Sequence, residues 1–373
     1  MNQQKASMMS VLIVISLIAV AGSGIAAIAV AHGAEPVEEA RATIKDMRGR
    51  DVPLPDKIES VLAIKSCSLE LVSFFAALDL VKYLDVNESF DDDDRTHTFV
   101  NKEKLRDLPR VDPSDAEGVI LAAPDIIISS TVSVSKLDED QERYGIPVFA
   151  INADLEFGEE FDRQLRAVGA LFGERERAEE LVASINGFIS DVRVGKVAPS
   201  SDTPARGFVT AYACGMSFYG AGGFLKTSGD YLPFTYSFVQ NISPSSVAGV
   251  GKQPYNIDIE QVIGGNPRYI FIDGSGLDET LKFMRDNERV MGLSAVATGD
   301  VYSVMVYKSW GTNWVNQMIN VYYVAHVVNG AKLLWDFEDK ANEVIQAFYP
   351  STSVTYADLA AAQSGGGCAK VGV

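Results

Sequence analysis

A ten-residue pattern occurs twice in this chain, 143 residues apart. Asp115, Glu117, Val119, Ile120 and Pro124 match Asp258, Glu260, Val262, Ile263 and Pro267 without a gap. Each copy runs into a hydrophobic stretch, Ile126-Ile127-Ile128-Ser129 in the first and Tyr269-Ile270-Phe271-Ile272-Asp273 in the second. A short helix, a proline and then a buried strand is the pattern of a parallel α/β sheet. Cys67 and Cys214, 147 residues apart, each close a first strand-like run. Two correspondences at nearly one offset point to duplicated lobes. The competing explanation is that helix–proline–strand junctions recur in any α/β chain.

The remaining punctuation fits two lobes. Residues 43–46 and 50–54 around Gly49 predict a hairpin, 58–64 a strand and 69–78 an apolar helix after Ser66-Cys67-Ser68. Strands at 126–129 and 146–151 complete an N-terminal α/β lobe over 41–173. Ala178, Leu181, Val182, Ile185, Phe188, Ile189 and Val192 recur at helical spacing and predict one long helix over 174–197. Residues 198–205 have the Pro, Ser and Asp content of a linker. The second lobe, 205–350, repeats the plan with strands at 207–211, 269–272 and 301–306 and a helix over 315–334. Residues 351–373, with Ser364-Gly365-Gly366-Gly367-Cys368, read as a flexible tail. The 373 residues suit two such lobes.

Fifty acidic against 32 basic residues give a net charge of -18. That excludes the basic footprint nucleic acid requires and any purely electrostatic hold on an anionic membrane. Three cysteines are too few for a disulfide scaffold. His32, His97 and His326 are scattered, with no His-x-x-x-His or Cys-x-x-Cys spacing, so no metal centre is expected. Asp91 to Asp94 lacks the Gly and terminal Glu of a calcium loop and reads as a solvated acidic loop. Residues 219–223 lack the Lys-Ser/Thr of a phosphate loop, and no cofactor is expected. An apolar run over 8–31 follows Lys5 and precedes Glu35, Glu38 and Glu39. Residues 1–40 therefore serve as a signal peptide or an N-terminal membrane anchor, with the remainder outside the cytoplasm.

Ligands of open α/β sheets bind beyond the carboxyl ends of strands. Here those ends offer Cys67 and Ser68, then Ser129, Ser130 and Thr131, then Asn152 and Asp154. The second lobe offers Tyr212, Cys214, Met216, Phe218 and Tyr219, then Asp273 and Ser275, then Tyr307, Trp310 and Trp314. Aromatic walls suit a planar chelate or macrocycle, although several of these rings could equally be core. Only Lys65, Lys226 and Lys308 lie near, which points to a neutral or cationic ligand. Cys67 and Cys214 could face each other across a cleft, as soft-metal ligands, as a redox bridge or as small buried residues.

Four stretches resemble one family, the extracytoplasmic solute-binding proteins of ABC importers for iron-siderophores, haem and cobalamin. They are Ile44-x-Asp46-x-x-Gly49-Arg50-x-Val52-x-Leu54-Pro55, the turn carrying Glu70, the repeated Asp-x-Glu-x-Val-Ile-x-x-x-Pro, and Leu293-Ser294-Ala295-Val296-x-x-Gly299-Asp300-Val301-Tyr302. Residues 307–332 are similar to a version found in archaeal members. The resemblance covers about residues 43–349. It implies two α/β lobes with mainly parallel sheets, joined by one long connecting helix, with the ligand cleft between them and a closure of at most about 15°. It also implies that Glu117 and Glu260, one per lobe, engage arginines of the permease membrane subunits. The expected function is capture of a metal chelate or corrinoid by a monomer that binds no nucleic acid and catalyses nothing. The competing readings are a chelatase-like enzyme using Glu70 or Asp154, and a membrane-tethered sensor or scaffold.

Overall fold

The computed structural model describes residues 42–91, 93–193, 209–216, 222–243, 254–330 and 333–373. The apolar N-terminal run, the 198–205 linker, Phe218 and Tyr219 lie outside the described residues.

The chain opens with the hairpin β1 (Thr43–Lys45) and β2 (Asp51–Pro53), turning at Gly49 with φ +79°. Asp46 closes it, accepting from the backbone of Arg48 at 2.8 Å and Arg50 at 3.0 Å. The first lobe continues through β3 (Val61–Ile64), α1 (Ser68–Ser73), β4 (Val81–Asp85), α2 (Thr96–Val100) and α3 (Lys102–Leu105). It ends with β5 (Arg110–Val111), α4 (Ala116–Ala122), β6 (Ile126–Ser129), α5 (Val134–Tyr144), β7 (Val148–Ala150) and α6 (Glu159–Leu171). The strands form one parallel sheet in the order β5-β4-β3-β6-β7. Every residue of β3, β6 and β7 is buried, which is why they read as continuous apolar runs.

Helix α7 (Arg175–Arg193) buries all seven residues that share the periodic face, and at 1.5 Å per residue is about 28 Å long. It touches both lobes. The Arg177 guanidinium donates to the carbonyls of Phe74 at 3.0 Å and Ala347 at 2.7 Å.

The second lobe contains β8 (Thr210–Cys214), β9 (Lys226–Thr227), α8 (Leu232–Tyr236), β10 (Gln240–Asn241), β11 (Tyr255–Asn256), α9 (Ile259–Gly265) and β12 (Tyr269–Asp273). It continues with α10 (Leu277–Arg285), α11 (Glu288–Met291), α12 (Ser294–Ala297), β13 (Val301–Val304), α13 (Trp314–Asn329), α14 (Phe337–Phe348), α15 (Tyr356–Ala362) and β14 (Ala369–Lys370). Its sheet runs β10-β8-β12-β13-β14, parallel except for the last strand. The molecule is thus α/β, two lobes with mainly parallel sheets.

The expected flexible tail at 351–373 is corrected. It forms α15 and then β14, which pairs antiparallel with β13. Gly367 accepts from the Ser303 hydroxyl at 2.7 Å, and Val371 and Val373 pack on the second-lobe core. The small residues that look frayed in sequence are needed for a close crossing.

The repeat survives at the level of caps. Asp115 accepts from Glu117 N at 3.1 Å to start α4, and Asp258 accepts from Glu260 N at 2.9 Å to start α9. Both helices end on a left-handed residue before the proline, Ala123 (φ 45°) and Asn266 (φ 37°). Asn tolerates that conformation and Ala does not. Ala123→Gly should therefore stabilise the fold by about 1 kcal/mol, read as a raised midpoint in thermal or urea unfolding. An unchanged or lowered midpoint would contradict the cap argument.

Candidate functional site

The segment after β3 meets the segment after β13. Lys65 and Cys67 both take positive φ, 65° and 64°. That tight turn seats Cys67 Sγ on the Thr312 carbonyl at 3.4 Å and points α1 at the other lobe. Glu70, 1% exposed, then accepts from the backbone N–H of Trp314 at 3.0 Å, at the start of α13. Trp314 is itself bolted across the seam, its indole N–H donating to Leu155 O at 2.8 Å. Tyr236 adds a third crossing, donating to Phe157 O at 2.5 Å.

Two small cavities lie along this seam, each with room for about 10 Å³, the scale of one water molecule. The first is lined by Cys67, Glu70, Glu88, Arg95, His97, Trp310 and Asn313, among others. The second is lined by Asp154, Glu156, Asp230, Tyr307, Lys308 and Gln317, among others. In the first, Arg95 is paired with Glu88, yet its Nε is buried with no hydrogen-bond partner. The same is true of His97 Nδ1 and Asn313 Oδ1, and Arg95 and His97 are only 4% and 5% exposed.

Electrostatics keep this cavity close to neutral. Burial holds His97 below its ordinary pKa, against the pull of Glu88 3.7 Å away, so the imidazole is uncharged at neutral pH. Burial opposes the Glu88 charge, but His97 and Arg95 more than offset it and lower its pKa. Burial, reinforced by Glu70, pushes the Cys67 thiol well up, so it is a thiol and not a thiolate. Burial also raises Glu70 well above the carboxylate range, against the backbone N–H groups of Trp314 and Val315.

The structure distributes the sequence candidates unevenly. Cys67, Tyr307 and Trp310 line the cavities, and Trp310 is 54% exposed at the rim. Ser68 is buried beside Cys67, and Ser129, Ser130 and Thr131 are buried at the end of β6, with the Ser129 and Thr131 hydroxyls 2.9 Å apart. Trp314 is fully buried as an interlobe bolt. Tyr212 and Cys214 are corrected to core residues. Both lie inside β8 at 0% exposure, packed with Phe224 and Ile272, and the Tyr212 hydroxyl donates to Phe224 O at 2.6 Å. Cys67 lies three residues past its strand whereas Cys214 is within one, so the two thiols occupy separate clusters and are unpaired. Asp273 is buried and braces the next loop, accepting from Tyr307 N at 2.7 Å, with its pKa raised by burial to about 7.

The acidic loop is also corrected. Asp93 pairs with Lys102 at 3.0 Å, and Asp94 accepts at its carboxylate from Ser364 N and at its carbonyl from Asn313, each at 2.6 Å. Sequence reasoning missed Glu88, Arg95, His97 and Asn313. The available signal was Arg95-Thr96-His97, a polar run with no strand or helix pattern, directly after four aspartates.

Because the raised pKa of Glu70 belongs to the folded state, its contribution is full at low pH and is lost as pH rises out of the ordinary carboxylate range. Asp273 acts in the same direction up to about 7. Glu70→Gln keeps an acceptor for Trp314 N and removes the titration. It should flatten the decline in unfolding free energy above about pH 4.3; an identical pH profile would show that Glu70 does not titrate in the fold.

Comparison with known proteins follows from this architecture. The periplasmic binding protein family profile matches residues 78–305, more than half of the chain. No curated protein matches the sequence. Among solved structures, the molybdate periplasmic binding protein MolA of Haemophilus influenzae superposes with a TM-score of 0.64 at 17% identity, over 84% of this chain and 99% of its own. The TroA-like periplasmic binding protein FepB of Veillonella parvula gives 0.61 at 20% identity, over 84% and 97%. CeuE of Helicobacter pylori, with Ni(II) bound, gives 0.59 at 13% identity, over 85% and 98%. These structures share the two-lobed fold, and the chain belongs to the periplasmic binding protein family, the extracytoplasmic solute-binding components of ABC transporters.

Proposed function

We propose that this protein captures a metal chelate or corrinoid outside the cell and delivers it to the membrane subunits of an ABC permease. One observation carries the reading: three buried polar atoms without partners, the donor Arg95 Nε and the acceptors His97 Nδ1 and Asn313 Oδ1, belong to residues lining one cavity between the lobes, where a ligand's polar groups would satisfy them. Glu88 balances the Arg95 charge, so a neutral chelate suits the site better than a strongly anionic one. Solved relatives are named for molybdate, Ni(II) and Fe3+-hydroxamate, which supports a metal-bearing cargo. The cavity is far smaller than any such cargo, so the lobes part to admit it. Residues 1–40 would hold the protein at the membrane or be removed on export. The chelatase reading is less favoured, because Glu70 is engaged by the first turn of α13.

Docking would use the two repeat glutamates, and they differ. Glu117 is exposed beside the exposed Ile120 and Leu121 and forms no ion pair among the described residues. Glu260 is held by Arg289 through two bonds of 2.7 and 2.6 Å. A permease arginine would have to displace Arg289 on the second lobe but not on the first.

Thermal unfolding of the protein against cobalamin, cobinamide, haem, ferric siderophores and bare metal ions tests the cargo. A ligand at 100 times its dissociation constant adds about 2.7 kcal/mol. One chelate should stabilise the protein and bare metals should not; a flat panel would favour the sensor reading. Arg95→Gln should weaken that binding by about tenfold or more, while Cys67→Ser leaves it intact. In an uptake assay, Glu117→Ala with Glu260→Ala should stop transport without changing ligand affinity. Of the single substitutions, Glu117→Ala should cost more, and full transport by the double variant would remove the docking assignment.

A further inference from the structure

The loop that supplies Arg95 and His97 to the cavity is not held by its own lobe alone. Thr96, between them, donates from its hydroxyl to Asn316 Oδ1 at 2.6 Å and accepts from Gln363 Nε2 at 3.1 Å. Asn316 closes the ring by donating to Gln363 Oε1 at 2.8 Å. Two residues before Thr96, Asp94 takes the Ser364 N–H on its carboxylate. Thr96, Asn316 and Gln363 are all buried, at 4% exposure or less. The first-lobe loop is therefore clasped between α13 and the C-terminal segment, both second-lobe elements.

The segment is built to pass at close quarters. Gly365 has φ +79°, and a Cβ there would meet Gly274 Cα at 2.5 Å. A Cβ on Gly274 would meet Ser364 O at 2.2 Å. Beyond the crossing, Cys368 N is fixed by the Tyr356 hydroxyl at 2.8 Å, and β14 anchors the chain on the edge of the second sheet. The strap is thus held at both ends by second-lobe elements, α15 before it and β14 after it, and hydrogen-bonds the first lobe from Gln363 and Ser364.

We propose that residues 363–367 are a strap that holds the two lobes together at the ligand cavity, with Gln363 and Ser364 positioning Arg95 and His97 through the Asp94–Thr96 loop. The inference rests on reading the interlobe cavity as the ligand site. Loosening the strap lets the lobes part, so it sets how readily cargo enters and leaves. It joins α7 and the Glu70–Trp314, Trp314–Leu155 and Tyr236–Phe157 contacts as a further tether, made of polar contacts that water can replace, where α7 is held by an apolar face.

Removing residues 363–373 would also remove β14 and could unfold the second lobe, so the test uses Asp94→Ala with Gln363→Ala in the full chain. The readout is amide hydrogen exchange. Trp314 N–H is bound by Glu70 across the seam and is touched by neither substituted side chain. Its exchange should quicken about tenfold or more, while amides of β6 and β12 keep their rates. Asp94→Asn, which retains an acceptor for Ser364 N, should exchange like the parent. An unchanged Trp314 amide would overturn the proposal, even if residues 94–98 exchange faster, because the strap would then order only its own loop. Equal acceleration in both sheets would overturn it too. The measurement needs neither cargo nor permease, so a flat ligand panel or unimpaired uptake by the glutamate double variant would count against the functional reading and leave this result standing.

Discussion

Glu70 is a carboxyl group that the first lobe carries and the second lobe satisfies. Buried at 1% exposure, it would be left without its backbone donor from α13 if the lobes separated with no water to replace it. A buried polar group without a partner costs on the order of 1–3 kcal/mol. The closed seam therefore requires register: α1 must point at the first turn of α13, and the left-handed turn at Lys65 and Cys67 is what points it there. That turn ends β3, the central strand of its sheet, so the seam's geometry is inherited from a fully buried strand at the middle of the lobe.

The seam combines exchangeable hydrogen bonds with aromatic packing between the lobes. Asn313 to Asp94, Trp314 to Leu155, and the Thr96–Asn316–Gln363 ring are hydrogen bonds that water can replace at a net cost of about 1 kcal/mol each. Helix α7 instead lays seven apolar side chains against the core and fixes Arg177 on carbonyls from both lobes. Parting the lobes also disturbs aromatic packing between them, since Trp314 sits on Phe74 and Phe161 and Phe74 sits on Phe348 and Tyr349.

Much of the fold could be read from sequence because it rests on local rules. The β6 and β12 runs, the seven-residue face of α7 and the Asp-capped helices each carry a period or a cap that no tertiary context is needed to decode. The site was less legible because its residues are ordinary in sequence and unusual only in company. Arg95 precedes and His97 lies in the short helix α2 after four aspartates, and nothing local says that the other lobe covers them. Tyr212 and Cys214 misled for the opposite reason: they stand at the carboxyl end of a strand, but β8 is an inner strand and its flanking elements bury them. The C-terminal segment misled through composition, since glycines that look frayed are demanded by its crossing with Gly274.

The two copies of the repeated pattern agree in some features and differ in others. The Asp cap, the left-handed end and the following proline persist in both copies, because each is needed to turn a short helix into a buried strand. The surface beside them has not persisted. One lobe leaves its glutamate next to exposed Ile120 and Leu121, and the other answers Glu260 with Arg289. Exposed ion pairs of this kind are worth about 0–1 kcal/mol, too little to be explained as a stabilising device. Such a pair has a larger effect on what approaches from outside, since an incoming cation must compete with Arg289 for a carboxylate already chelated through both oxygens. Two faces built on one backbone plan therefore present different electrostatic targets.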